Sequence, residues 1–136
     1  MNNQKNKIFI ILEGGGKVST GYTYGKLTHK PNHLSAIKSI EKTKVVLKAV
    51  VDKNIKIRNI LANKGIKAYK NIDDIKYINK NDIFVICTPP KDRLLLIKKC
   101  NKFRIRNLIL EKPLSENFIE SKKIKENINK YKINLF

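Results

Sequence analysis

At 136 residues, with a net charge of +19 and 41% hydrophobic residues, the chain has the length of one domain and enough apolar content for a core. This composition excludes a disordered chain, and no apolar stretch approaches the roughly 18 residues of a membrane helix. The polar start MNNQKNK has no signal-peptide hydrophobic region behind it, so a cytoplasmic chain without a membrane partner is expected. The positive excess is nearly all lysine and is spread evenly along the sequence. A nucleic-acid face concentrates charge and interleaves Arg and aromatics, so specific nucleic-acid binding is not expected, only salt-sensitive sticking to polyanions. Cys87 and Cys100 lack metal-ligand spacing and read as reduced thiols, with no metal site.

Ile8 to Leu12 is a short apolar run with β-branched weight, the signature of a strand buried on both faces. Gly14, Gly15 and Gly16 follow it. A strand, a Gly-x-Gly turn and a helix are how a dinucleotide pyrophosphate is held, because glycine lets the backbone turn and approach the phosphate. Lys17 to Asn32 reads as a long loop in which Tyr22, Tyr24 and His29 are candidate ligand contacts. His33 to Thr43 then carries Leu34, Ile37 and Ile40 at helical spacing, with Asn32 as its N-cap.

Val45 to Val51 predicts a second buried strand that runs into Asp52. An acid at that point bonds the adenosine ribose in a dinucleotide site; the other reading is a cap on the helix predicted for Asn54 to Lys64. Gly65 ends that helix. Ile66 to Tyr69 predicts a third strand and Ile72 to Ile78 a short helix, with Asp73 and Asp74 at its positive end. Asp82 to Thr88 is the clearest strand, stopped by Pro89 and Pro90. A helix over Asp92 to Phe103 and a strand over Ile105 to Leu110 lead into Glu111, Lys112 and Pro113. Leu114 to Lys130 predicts an amphipathic helix capped by Ser115, with Phe118, Ile119, Ile124 and Ile128 on its apolar side, and Ile133 to Phe136 begins a sixth strand. Strands alternating with helices give an α/β fold, a doubly wound and mainly parallel Rossmann sheet with helices on both faces. Ligands of such sheets sit at the carboxyl ends of the strands, where Gly14–Gly16, Asp52, Thr88–Pro89 and Glu111–Pro113 all fall.

The order GGGKVS, HLSAI, VVD, VICTPP and EKPLS resembles the nucleotide-binding half of the Gfo/Idh/MocA oxidoreductases, over nearly the whole chain. The EKP tripeptide is its most specific part. The resemblance implies an enzyme that uses NAD, or alternatively NADP, to oxidise or reduce sugars, sugar nucleotides or polyols. It implies that Gly14, Gly16 and Val18 line the pyrophosphate, with Lys17 a neighbouring cofactor contact. Asp52 would hold the adenosine ribose, and Thr88 and Pro89 would pack along the cofactor. Lys112 would be the catalytic group, reaching the nicotinamide ribose and the reacting carbon beside Glu111, with the Lys112–Pro113 peptide cis. Glu111 could orient the Lys112 ammonium. An ammonium there stabilises the charge that develops as an alcohol loses hydride.

Two residues depart from the family pattern: Ser19 stands for the third glycine, and Arg93 stands where the family often has His. On this reading residues 1–136 are one NAD(P)-binding Rossmann domain, without the C-terminal α+β domain that supplies substrate pocket and base. A truncated domain, catalytically incomplete alone, is therefore expected, with a sugar-like substrate only if the missing half is supplied. The alternative is a non-catalytic NAD or nucleotide-sugar binding module that acts through a partner protein.

Overall fold

The computed structural model describes residues 7–23, 26–27, 31–40 and 44–136. The candidate contacts Tyr24 and His29, and the last three residues of the predicted helix at 33–43, lie outside them.

The first strand, β1 (Ile8–Glu13), enters the glycines and a single helical turn, α1 (Lys17–Thr20). Gly21 ends that turn at φ 79°, its N–H bonded to the Lys17 carbonyl, a conformation open to glycine. The expected long loop is thus partly structured, since two short strands, β2 (Tyr22–Thr23) and β3 (Lys26–Leu27), pair antiparallel. Helix α2 (His33–Ile40) follows, and the Asn32 side chain accepts from the Ser35 N–H at 2.9 Å, as its predicted cap should.

Strand β4 (Val45–Val51) matches its predicted span. Helix α3 (Ile55–Ala62) is capped by Asn63 and followed by Gly65, whose φ of +73° favours glycine. Strand β5 is only Ala68–Tyr69. The helix predicted for Ile72 to Ile78 is instead one 3-10 turn, Ile72–Asp74. There Asp74 bonds back to the Asn71 N–H while Asp73 reaches out to Lys99 and Lys102. Ile75 is already extended at ψ 111°, so the helix cannot continue.

Strand β6 (Ile83–Ile86) leads through a 3-10 turn at Pro90–Asp92 into α4 (Arg93–Lys102). After β7 (Asn107–Leu110) comes the cis Lys112–Pro113 peptide, then α5 (Phe118–Lys130) and β8 (Asn134–Leu135). The cap of α5 is Asn117, which accepts from the Glu120 N–H at 2.9 Å. Ser115, the predicted cap, bonds the Asn117 carbonyl and the Ser121 hydroxyl and so braces the loop instead.

The sheet runs in the order β5-β4-β1-β6-β7-β8, and every pairing in it is parallel. Chain order moves outward from β1 on one side and then returns to its other side, which is the doubly wound arrangement. Alternate residues of each strand face opposite sides. Ile11, Val51, Phe84, Ile86 and Leu108 pack with Leu96 and Ile97 of α4 and Ile124 of α5. Ile10, Leu12, Val50 and Val85 pack with Leu34 and Ile37 of α2 and Ile57 and Leu61 of α3. Helices therefore cover both faces, as the alternating pattern predicts. Of the apolar positions predicted on α5, Ile124 is buried and Ile128 half-buried, whereas Phe118 and Ile119 are 82% and 68% exposed. Leu135 and Phe136 are exposed too. No helix among the described residues is long and apolar enough to cross a membrane.

Candidate functional site

The three glycines after β1 do three different things. Gly14 sits at φ +92°, and a Cβ there would come within 3.2 Å of the Cys87 and Thr88 backbone at the end of β6. Both the conformation and the close approach call for glycine. Gly15 packs against α3, since a Cβ on it would lie 2.5 Å from Ile57 Cγ2. At Gly16 a Cβ would meet nothing within 4 Å, so open space lies above the turn. The helix expected to face a phosphate is one turn long, and its first N–H groups lack intrahelical acceptors as in any helix start. Lys17 and Val18 are exposed on it, while Ser19 is fully buried where the third glycine was expected. The Thr20 hydroxyl donates to the Gly15 carbonyl at 2.6 Å and pins the turn.

Asp52 lies beside the glycines. Its Oδ2 accepts from the Gly15 N–H at 2.5 Å and its Oδ1 from the Asn54 N–H at 2.7 Å. The cap of α3 is Asn54, which accepts from the Lys56 N–H, so the reading of Asp52 as the helix cap does not hold. A carboxylate offers about four lone-pair directions. Two bonds to the protein leave acceptor capacity for a ligand.

On the other side of β1, Thr88 and Pro89 end β6. The Thr88 Oγ1 is buried without a partner among the described residues. Arg93 turns inward rather than toward a ligand: it is 2% exposed, and its Nη2 donates to the Thr88 carbonyl at 3.3 Å. Burial lowers its pKa, opposed by the nearby Glu111 charge. Glu111, at the end of β7, bonds His33 Nε2 at 2.6 Å. It therefore ties β7 to the start of α2 and does not orient Lys112, whose side chain is exposed. His33 is a site neighbour that sequence reasoning passed over, although it stands directly after the Asn32 cap. Cys87 and Cys100 are both free, and burial pushes the Cys87 thiol up to about 12.

The residue missed entirely is Glu13. It ends β1, is 7% exposed, and borders a cavity of about 290 Å³ with Gly14, Gly16, Asp52, Thr88 and Pro89. Its Oε2 is buried and unpartnered, and burial raises its pKa to about 8. All the buried side-chain polar atoms without a partner among the described residues belong to Glu13, Ser19, Thr88 and Arg93. Glu13 and Thr88 stand at or just after the carboxyl ends of β1 and β6, the two strands between which the winding reverses, and Ser19 and Arg93 lie on α1 and α4, the helices that follow those strands. A larger cavity, about 790 Å³, opens at the opposite edge among Lys7, Lys38, Lys48, Lys64 and Lys67. None of the predicted site residues reaches it. Among the described residues no group of three His, Cys, Asp or Glu could hold a metal ion.

A family model described as "Oxidoreductase family, NAD-binding Rossmann fold", GFO_IDH_MocA, matches residues 14–136. Among solved structures, the WlbA dehydrogenase from Bordetella pertussis, in complex with NADH and UDP-GlcNAcA, superposes with a TM-score of 0.74 at 19% identity. That match covers 96% of this chain and 36% of the other. An oxidoreductase from Agrobacterium radiobacter, in complex with NAD+, L-tartaric acid and magnesium, gives 0.71 at 14% identity, covering 95% and 34%. The chain thus spans about a third of the length of the solved structures it matches. A comparison with curated protein sequences finds no match. The orphaned Thr88 and Glu13 oxygens and the space over Gly16 fit a polar ligand laid across the sheet edge. The chain belongs to the Gfo/Idh/MocA oxidoreductase family, and residues 14–136 are that family's NAD-binding Rossmann domain.

Proposed function

We propose that this domain holds NAD across the carboxyl ends of β1, β4, β6 and β7, and serves hydride transfer on a sugar, sugar nucleotide or polyol. The observation that carries this is the gathering of orphaned polar atoms and open glycine backbone at the two strands where the winding reverses. Gly14 and Gly16, with Lys17 and Val18, receive the pyrophosphate on backbone N–H groups. Asp52 accepts from the adenosine ribose hydroxyls with the lone pairs that Gly15 and Asn54 leave. Its charge repels a 2′-phosphate and so favours NAD over NADP. Thr88 and Pro89 lie along the cofactor, and the Thr88 hydroxyl gains a partner on binding.

Bound NAD supplies the hydride acceptor. Lys112 acts on the substrate oxygen, where its ammonium stabilises the negative charge that develops. Glu111 reaches the cofactor side of the same strand end and is held there by His33. The substrate base and most of the substrate pocket are supplied by a further domain. The solved relatives, about three times the length of this chain, support that division. The UDP-GlcNAcA bound in one of them supports the sugar-nucleotide class.

Calorimetric titration of the chain and its Gly16→Val variant with NAD tests the reading. Gly16 sits at φ −77° with open space around its Cβ position, so valine leaves the fold intact and fills the phosphate's place. The variant is expected to bind at least about tenfold more weakly, roughly 1.4 kcal/mol, with an unchanged melting curve. Equal affinity in the two folded chains contradicts the pyrophosphate assignment.

A further inference from the structure

Glu13 is a carboxyl group in a costly position. An ionised carboxylate taken out of water without a partner is strongly unfavourable, and Oε2 is fully buried with no hydrogen-bond partner among the described residues. The side chain nonetheless borders the cleft assigned to the dinucleotide. The charged groups around it come from several elements. Asp52 and Lys53 follow β4, and Asp92 and Lys99 belong to the turn before α4 and to α4 itself. Lys70 and Cys87 share the cleft wall, and the Cys100 thiol of α4 also feels its charge. Burial outweighs them all and raises the group to about 8, with Lys99 pulling it down and Asp52 pushing it up. At neutral pH Glu13 is therefore mostly an acid with one O–H to donate. A buried donor that finds no acceptor in the protein calls for one from outside.

We infer, resting on the dinucleotide reading above, that Glu13 meets the bound dinucleotide as an uncharged acid, its O–H donating to the ligand, and that its ionisation expels the ligand. The pyrophosphate brings negative charge into a cleft of low dielectric, where a carboxylate would repel it strongly. That repulsion holds the proton more tightly in the complex than in the free chain. Binding above pH 8 then takes up one proton, and affinity falls as pH rises past the free group's value. With that value at about 8, affinity at pH 9 should be about tenfold below that at pH 7.

The test is calorimetric titration with NAD from pH 6.5 to 9, in pairs of buffers that differ in protonation enthalpy. Wild type should take up close to one proton per NAD at pH 9 and close to none at pH 6.5, with the tenfold loss between pH 7 and 9. In Glu13→Gln the affinity, whatever its level at pH 7, should no longer fall by pH 9. The same alkaline loss in the glutamine variant overturns the inference. So does wild-type binding that is flat in pH and releases or takes up no proton, which leaves the dinucleotide reading standing. No binding of NAD by wild type at any pH takes both readings down together.

Discussion

Glu13 also carries a stability consequence that needs no ligand. Unfolded, the carboxyl titrates near its ordinary value of 4.5; folded, it holds its proton to about 8. Between those values the unfolded chain binds fewer protons than the folded one, so stability falls as pH rises through that window. At pH 7 the cost is about 3 kcal/mol, a large part of a typical domain's stability. Glu13→Gln keeps the shape without the titration. It should be about 3 kcal/mol more stable than wild type at pH 7 and close to equal at pH 4, read from urea midpoints at the two pH values. Parallel pH profiles for the two chains would mean the carboxyl is solvated.

Asp52 was legible in the sequence because an apolar strand run stops on it, and its backbone partners Gly15 and Asn54 agree with that position. Glu13 was not, because a glutamate between an apolar run and three glycines reads as the polar end of a strand. Its burial arises only in the folded chain, where it shares a cleft wall with Leu96 and Lys99 of α4.

At the scale of elements, the glycine turn is fixed by its packing on α3 as much as by its own conformation. Gly15→Ala would press a methyl group to about 2.5 Å from Ile57 Cγ2, and Ile57 is itself buried. Overpacking of this kind costs about 1–3 kcal/mol. The cost should shrink markedly in an Ile57→Ala background, measured as the coupling in a double-mutant cycle of unfolding free energies. Additive effects would mean that the turn relaxes away from α3.

Strand positions were readable from their apolar runs, and β4 was read to the residue. Element ends were harder. The helix expected over 72–78 failed because Asp74 closes a capping bond on Asn71 and the chain extends at Ile75. The Ser115 cap failed because the loop after Pro113 carries the chain on to Asn117 before α5 starts. Such choices turn on which side chain reaches which N–H, and periodicity does not encode that.

For the molecule as a whole, the winding of the sheet separates two edges of opposite character. At the amino-terminal edge, lysines surround the larger cavity, and Lys48 is paired with Asp82 between the rings of Phe9 and Tyr77. At the carboxyl edge stand the glycine turn, the Asp52 carboxylate and the orphaned oxygens. Charge alone would draw an anionic dinucleotide to the first; backbone geometry and chemistry favour the second. Amide chemical shifts followed during a titration with NAD separate the two most directly. With the dinucleotide at the carboxyl edge, saturable shifts are expected at Gly14, Gly15, Gly16, Asp52, Thr88 and Glu111, with Lys48, Lys64 and Tyr77 unmoved. Shifts confined to the lysine-lined edge, or none at saturating NAD, would contradict that placement.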